Sequence, residues 1–519
     1  MSLRRRRPRR APRAAVPDGW AEPHRGGLTV VGNLDSALEA TVDDRGLVTA
    51  AADWSLDWWI GADDRWHLPS TEVAVRQRLV DDAPVVETSM RVPSGDVVQR
   101  VYAVRLGSDE LVVVEVENQS PIPVALALAL RPYDASGEGR IEHIALDGDT
   151  AVVVDGQVAL LLPKPPSRAA ASAGADVADV VLAGAAEVDL ASVRSDDGRA
   201  TAAYIWPLAH RATLRFAIPL GPTGLRRLPP LPDPDQVARG WAMQSARGLR
   251  LVLPDEKLAG AVDASRRTLL LRHDGPGARS AMGAVAGALD RYGYAEEAAE
   301  LLATDPEGAG LVALTDHWRR HRDELLARSV VADVAELAEA AVRSGVASAP
   351  QVLAAADLLA STGEEQAAAV ARRAAADLPE AVVDPFALSA ELASLLVTAS
   401  PTRTWPGADL RPAARLLTLV RDLLVRETGD GLVLLSVVPD TWLGLGVEVH
   451  DAPTAFGLLS FAVRWHGDRP ALLWELDGDA PVRLTAPGLD PAWSTTERRG
   501  DALLAPVLPP GTPVSLKRR

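Results

Sequence analysis

Four tryptophans, Trp54, Trp58, Trp59 and Trp66, fall within 13 residues, interleaved with Asp53, Asp57, Asp63, Asp64 and Arg65. Sugars present apolar C–H faces that stack on an indole. Their hydroxyls both donate and accept, so they pair with carboxylates and guanidinium groups. The segment therefore suits a carbohydrate, with Trp58, Trp59, Asp63, Asp64 and Arg65 as the expected contacts. The same residues suit a second role. Large aromatics dominate interface burial, so they would equally anchor a β domain to a neighbour, with Asp and Arg at the rim. The two roles are compatible, because domain junctions often host binding sites.

Cleaving a glycosidic bond takes two carboxyl groups, about 5–5.5 Å apart for retention or about 6.5–9.5 Å for inversion. The acid must be partly buried to keep its proton. In the Ala- and Leu-rich part of the chain, Asp274, Asp305, Glu307, Asp316 and Asp384 sit at expected loops or helix ends. Asp305-Pro306-Glu307-Gly308 is also a simple turn sequence, and Asp384, before Pro385, is an expected helix cap. Asp316, beside His317 and Trp318, is the candidate catalytic carboxylate, and Trp318 a further candidate sugar contact. A helix that buries one tryptophan and solvates its charges accounts for the same three residues. No acid/base pair can be identified.

Other chemistries lack their signatures. There is no cysteine, no His-Glu-x-x-His, and the 9 histidines are scattered, so neither a metal nor a cofactor is expected. No phosphate-cradling Gly-x-x-x-x-Gly-Lys-Ser/Thr loop and no Gly-x-Ser-x-Gly elbow is present. Gly444-Leu445-Gly446 opens no helix and is no dinucleotide fingerprint. Near the C-terminus, Trp442, Trp465, Trp474 and Trp493 with Arg464, His450 and His466 form either a second aromatic surface or a core.

These groups must be held by elements of two kinds. Residues 28–220 read as strands. In 84–92, Val86, Thr88, Met90 and Val92 alternate with Glu87, Ser89 and Arg91. In 97–105, Val97, Val101 and Ala103 alternate with Arg100, Tyr102 and Val104. The runs 111–118 and 122–130, around Asn118-Gln119-Ser120-Pro121, are expected to form a hairpin. Strand-like runs recurring about every ten residues predict an antiparallel sandwich. The stretch 168–187 fits neither period. Pro229, Pro230, Pro232 and Pro234 then break the pattern. Beyond them Ala, Leu, Glu and Arg predominate, and ten or eleven helices are predicted, with Asp255 as one N-cap and Gly293 and Gly363 between helices. From about 429 the period returns to two. The expected domains are thus a basic arm (1–22), a β-sandwich (23–234), an all-α domain (235–428) and a small C-terminal β domain (429–519).

Charge and length bound the rest. The chain of 519 residues carries a net charge of −16 despite seven arginines before residue 14. Such a body repels nucleic acid and anionic membrane, so neither is an expected partner. The apolar stretch after the arginines, Ala14-Ala15-Val16, is too short for a secretion signal, and no apolar run is long enough to span a bilayer. With no cysteine, a cytoplasmic location is expected. The sequence sets no oligomeric state.

Three stretches resemble a known family. Gly32-Asn33 with the segment Asp53–Trp66 is similar to the N-terminal β-sandwich of six-hairpin glycosidases, the glucoamylase-, trehalase- and glycogen-debranching-like enzymes. Arg266–Leu271 with Ala288-Leu289-Asp290-Arg291-Tyr292-Gly293-Tyr294 resembles early helices of their α/α toroid. Ala313-Leu314-Thr315-Asp316-His317-Trp318 resembles a later one. The resemblance implies a sandwich leading into a toroid-like helical domain, complete or not, and an α-glucan-type glycan as ligand or substrate.

Two departures point to a degenerate relative. Where the family commonly has an aromatic residue followed by Arg-Asp, this chain has Gly277-Ala278-Arg279-Ser280-Ala281-Met282. The helical region also leaves little room: twelve average helices with short connections take roughly 200 residues. The competing expectation is a non-catalytic interaction or scaffold protein with a helical body between β modules. The helix-Gly-helix units at 293 and 363 share no fixed repeat, however, which argues against a solenoid.

Overall fold

The computed structural model describes residues 27–507 except 35, 37, 51–52, 135–136, 273–275, 346–347, 379–383 and 400–408. The basic arm, the tail beyond 507 and Asp274 lie outside the described residues. The chain divides into two compact units, residues 1–33 with 38–242, and residues 34–37 with 243–519. The helices beyond 243 and the C-terminal strands thus fall in one unit. Antiparallel sheets come first, then helices, then sheets again. No helix among the described residues is long and apolar enough to cross a membrane.

The first unit is built on two large sheets. One has eight strands and runs from Thr29–Gly32 through Ser55–Gly61, Val124–Arg131 and Thr201–Leu208 to Arg168–Ser172. The other has nine and includes Val86–Val92, Gly95–Leu106, Asp109–Asn118 and Thr213–Pro219. Period-two alternation decides which side chains lie between them. Leu56, Trp58 and Ile60 share a core with Met90, Val97, Val101, Val114 and Val116 of the other sheet. Trp59 points the opposite way, packing with Ala127, Ala129, Val177 and Val181. Val177 and Val181 belong to a short helix, Val177–Leu182, capped by Asp176. This helix and the strand Arg168–Ser172 account for the mixed pattern of 168–187.

The expected hairpin at 111–130 is not one. Asp109–Asn118 pairs with Gly95–Leu106 and Thr213–Pro219, whereas Val124–Arg131 pairs with Ser55–Gly61 and Thr201–Leu208 in the other sheet. Pro121 and Pro123 lack the donors a tight hairpin turn requires. Asn118 instead donates its amide to the carbonyls of Ile122 (2.8 Å) and Leu208 (3.1 Å), holding an arch between sheets.

A buried carboxyl sits in the turn after Glu39–Val42. Asp43 Oδ1 accepts from the amides of Arg45 and Leu47, both at 2.8 Å, while Oδ2 is buried with no partner. Burial pushes its pKa up to about 7. A carboxyl whose folded pKa is raised contributes stability that is complete below its unfolded pKa and is lost as pH rises toward the folded value. Between pH 5.5 and 7 the protein should therefore lose about 2 kcal/mol that Asp43→Asn does not lose. Urea midpoints of both proteins across that range measure this; parallel pH profiles would refute it.

In the second unit, eleven helices from Pro234–Ala246 to Arg411–Leu424 occur among the described residues, the first of them begun in the first unit. Asp255 caps Glu256–Arg272, its carboxylate accepting from the amides of Lys257 (2.9 Å) and Leu258 (3.1 Å). Asp384 caps Pro385–Ala399 through the amide of Phe386. Arg411–Leu424 packs on Glu256–Arg272, Met282–Arg291 and Pro385–Ala399. Met282–Arg291 packs on Pro306–His321, which packs on Glu324–Ser344 and Ala349–Ser361. The C-terminal strands form sheets of five and four strands, the five-stranded one including Arg250–Val252. Trp442 and Trp474 are buried, Trp465 and Trp493 are half-buried, and Trp474 meets Trp493 edge-on at 5.2 Å.

Candidate functional site

The helix Pro306–His321 starts where Asp305 accepts a hydrogen bond from the Gly308 amide, with Pro306 and Glu307 in its first turn and Arg319, Arg320 and His321 in its last. Proline and acid at the start, with base at the end, match the free N–H groups and the helix dipole. Gly310, at φ 77°, interrupts it. One face buries Ala313, Leu314, His317 and Trp318. Another carries Val312, Asp316, Arg319 and Arg320 to the wall of a pocket of about 820 Å³.

Four further segments complete that wall, one of them the start of Ala349–Ser361 with Ser348, Pro350 and Gln351. Met282–Arg291 ends in Arg291. Arg411–Leu424 brings Arg421 and Asp422, and the chain continues without a loop into Val425–Glu427 and the turn 428–430. Arg483 and Thr485 come from Arg483–Ala486, whose strand runs parallel to Gly431–Leu434. Most of these groups sit on helix ends and strands, which hold side chains more rigidly than long loops, while Asp430 sits on the turn.

The charges interlock. Arg291 reaches Asp316 Oδ2 at 2.9 Å and Asp422 Oδ1 at 3.4 Å. Arg320 reaches Asp290 Oδ2 at 2.7 Å, Glu427 Oε1 at 3.0 Å and Asp316 Oδ2 at 3.4 Å. Burial acts to raise the Asp316 pKa, but Arg320 and Arg291 outweigh it and hold the carboxyl below its ordinary value. Asp316 is therefore an ionised acceptor at neutral pH and unsuited to the acid's role in glycoside cleavage.

Behind this wall, Asp290 Oδ1 lies 2.8 Å from both His317 Nδ1 and His321 Nε2. Burial again works to raise the pKa, but the two histidines and Arg320 hold Asp290 well below the carboxylate range. Asp290, His317 and His321 are the residues able to hold a metal ion among those described, with ligand atoms within 4.8 Å of one another. The Arg320 guanidinium on the second oxygen of Asp290 already supplies positive charge there, so the carboxylate needs no cation to be neutralised. The i,i+4 spacing of His317 and His321 was visible in the sequence, but Asp290 is 27 residues away from His317 and joins them only through helix packing.

The residues singled out from the sequence are dispersed. Asp316 lines the pocket. Trp318, on the same helix, does not: its indole donates to Asp357 at 3.1 Å, the Arg322 guanidinium lies over its ring, and it is 5% exposed. Trp58 and Trp59 are both 0% exposed, so neither presents a face for a sugar. Trp58 Nε1 donates to the Arg45 carbonyl and Trp59 Nε1 to Asp57. A Cβ at Gly46 (φ 87°) would collide with the Trp58 indole nitrogen and the Gln99 amide, so this tight turn also encloses Trp58. Asp63, Asp64 and Arg65 form an exposed turn. There His67 bridges Asp64 (3.0 Å) and Glu72 (2.9 Å), and Arg65 pairs with Glu72 at 2.6 Å. Asp57 is buried, paired with Arg131, which also holds Asp176 at 3.1 Å. The stretch Gly277–Met282 forms a short helical turn with Ala278, Ala281 and Met282 buried, and brings no acid to the pocket.

Arg291, Arg421, Asp422 and Glu427 had not been picked out from the sequence. The adjacent opposite charges of Arg421-Asp422 were the available signal, but such pairs are usually solvated.

No family model and no curated protein matches the chain. Among solved structures, a bacterial glucoamylase complexed with acarbose is similar over 71% of this chain and 69% of its own, at 10% identity and a TM-score of 0.46. A glycosyl hydrolase of family GH92 is similar over 70% and 60%, at 12% identity and a TM-score of 0.31. A polysaccharide lyase is similar over 67% and 81%, at 9% identity and a TM-score of 0.18. These likenesses assign no residue and no activity to this chain.

Proposed function

We propose that the protein binds a carbohydrate, an α-glucan-type or related saccharide, in the pocket of its second unit without hydrolysing it. The observation that carries this reading is the lining: planar carboxylates (Asp316, Asp422, Glu427, Asp430) alternate with planar guanidinium groups around about 820 Å³. That volume lies within the range of about 300–1,000 Å³ usual for small-molecule sites. A saccharide presents neighbouring hydroxyls that donate to one such group and accept from the next. Arg291 and Arg320 hold Asp316 ionised, which suits acceptance from a hydroxyl and removes it as a proton donor. The turn at 277–282 supplies no replacement acid.

Calorimetric titration with maltotriose, maltohexaose and trehalose, beside an assay for released reducing sugar, tests the reading. Binding without turnover is expected, and Asp422→Asn should weaken it about 10-fold, the equivalent of about 1.4 kcal/mol. Sugar release would overturn the non-hydrolytic assignment. Failure of every saccharide to bind would overturn the site.

A further inference from the structure

We propose that the saccharide this pocket takes is anionic, carrying a carboxylate or phosphate group. The inference rests on the saccharide reading above and adds the ligand's charge. It comes from pairing the charges in the lining. Asp316 is engaged by Arg291 and Arg320, Asp422 by Arg291, and Glu427 by Arg320 and, at 4.0 Å, by Arg319. Three lining arginines, Arg421, Arg426 and Arg483, have no carboxylate partner among the described residues. Against them stands Asp430, whose carboxylate accepts from the Thr428 hydroxyl at 3.3 Å.

Arg421 is the most telling of the three. It is 2% exposed. Its two terminal nitrogens donate to the carbonyls of Val425 and Pro453, and its Nε is buried without an acceptor. Burial lowers its pKa to about 10. Glu427 and Asp422 act on it only from beyond ion-pair distance, and a guanidinium taken out of water without a contacting carboxylate is costly, which carbonyl dipoles offset only in part. Arg426 is half-buried, and its Nε too is buried without an acceptor. An acidic chain that nevertheless gathers guanidinium groups without a contacting carboxylate on one concave surface focuses a positive field there. Guanidinium forks match the two oxygens of a carboxylate or phosphate, whereas a neutral hydroxyl leaves the charge unanswered.

The test is calorimetry on the full chain in a chloride buffer free of phosphate, sulfate and carboxylates. Maltotriose is the neutral probe, trigalacturonate the carboxylate probe and glucose 1-phosphate the phosphate probe, with inorganic phosphate as the sugar-free control. At least one anionic saccharide should bind 10-fold or more tightly than maltotriose, and the tighter of the two identifies the group. That preference should shrink as sodium chloride is raised, and it should fall several-fold in Arg483→Gln, an exposed position at which folding should be retained. Equal affinity for neutral and anionic saccharides would overturn the anionic inference and leave the saccharide reading standing. Binding of inorganic phosphate as tight as glucose 1-phosphate, with no affinity for maltotriose or trigalacturonate, would overturn the saccharide reading itself.

Discussion

Arg320→Met should destabilise the second unit by about 3–5 kcal/mol, the usual consequence of removing one partner from a buried charge network. The side chain is 3% exposed and touches three carboxylates, those of Asp290, Asp316 and Glu427. Methionine fills much of the same volume, so the loss should come from charge rather than from a cavity. Among the described residues Asp290 would keep its two histidines, and Asp316 would keep Arg291 and the weaker pull of Arg319. With one cation fewer, the Asp316 pKa should move upward as burial gains influence. Urea unfolding of the wild type and the variant measures the effect. A difference below about 1 kcal/mol, the range of exposed ion pairs, would mean that water already compensates these charges. Arg320 thus supports the pocket through Asp316 and Glu427, so its loss should weaken saccharide binding too.

Trp58→Ala should cost the first unit about 3–5 kcal/mol, as for other large aromatic truncations in cores. Its ring is enclosed between the two sheets and its nitrogen is bonded to the Arg45 carbonyl at 3.1 Å. Truncation empties an indole-sized volume and strands that carbonyl. The same variant separates two roles. A core residue, once lost, lowers the denaturation midpoint while saccharide affinity of the remaining folded protein is retained. A sugar-stacking residue would show the reverse: lost affinity at unchanged stability.

The two variants also mark how far residue order alone carries. Periodicity is a local property, and where it was strong the elements follow it. Val86, Thr88, Met90 and Val92 are all buried along one strand, and Asp255 and Asp384 cap the helices they precede, because a cap needs only its own next three residues. The sequence by itself thus determined the β–α–β order, most elements and many of their ends. Partner choice was not local. Asn118-Gln119-Ser120-Pro121 looked like a hairpin turn, yet its strands joined different sheets, since pairing depends on which distant edge is free. Trp58 and Trp59 looked like a sugar platform, but successive residues of a strand face opposite ways, and here both faces were covered.

The site shows the same division. Asp316 was picked out because His317 and Trp318 flank it, yet on the helix those neighbours turn away into the protein. Its true companions, Arg291, Asp422 and Glu427, lie 25 to 111 positions away along the chain. Only tertiary packing could decide that Arg291 and Arg320 would contact the acids while Arg421, Arg426 and Arg483 were left without a contacting carboxylate among the described residues, because electrostatic pairing is set by distance in space and by burial.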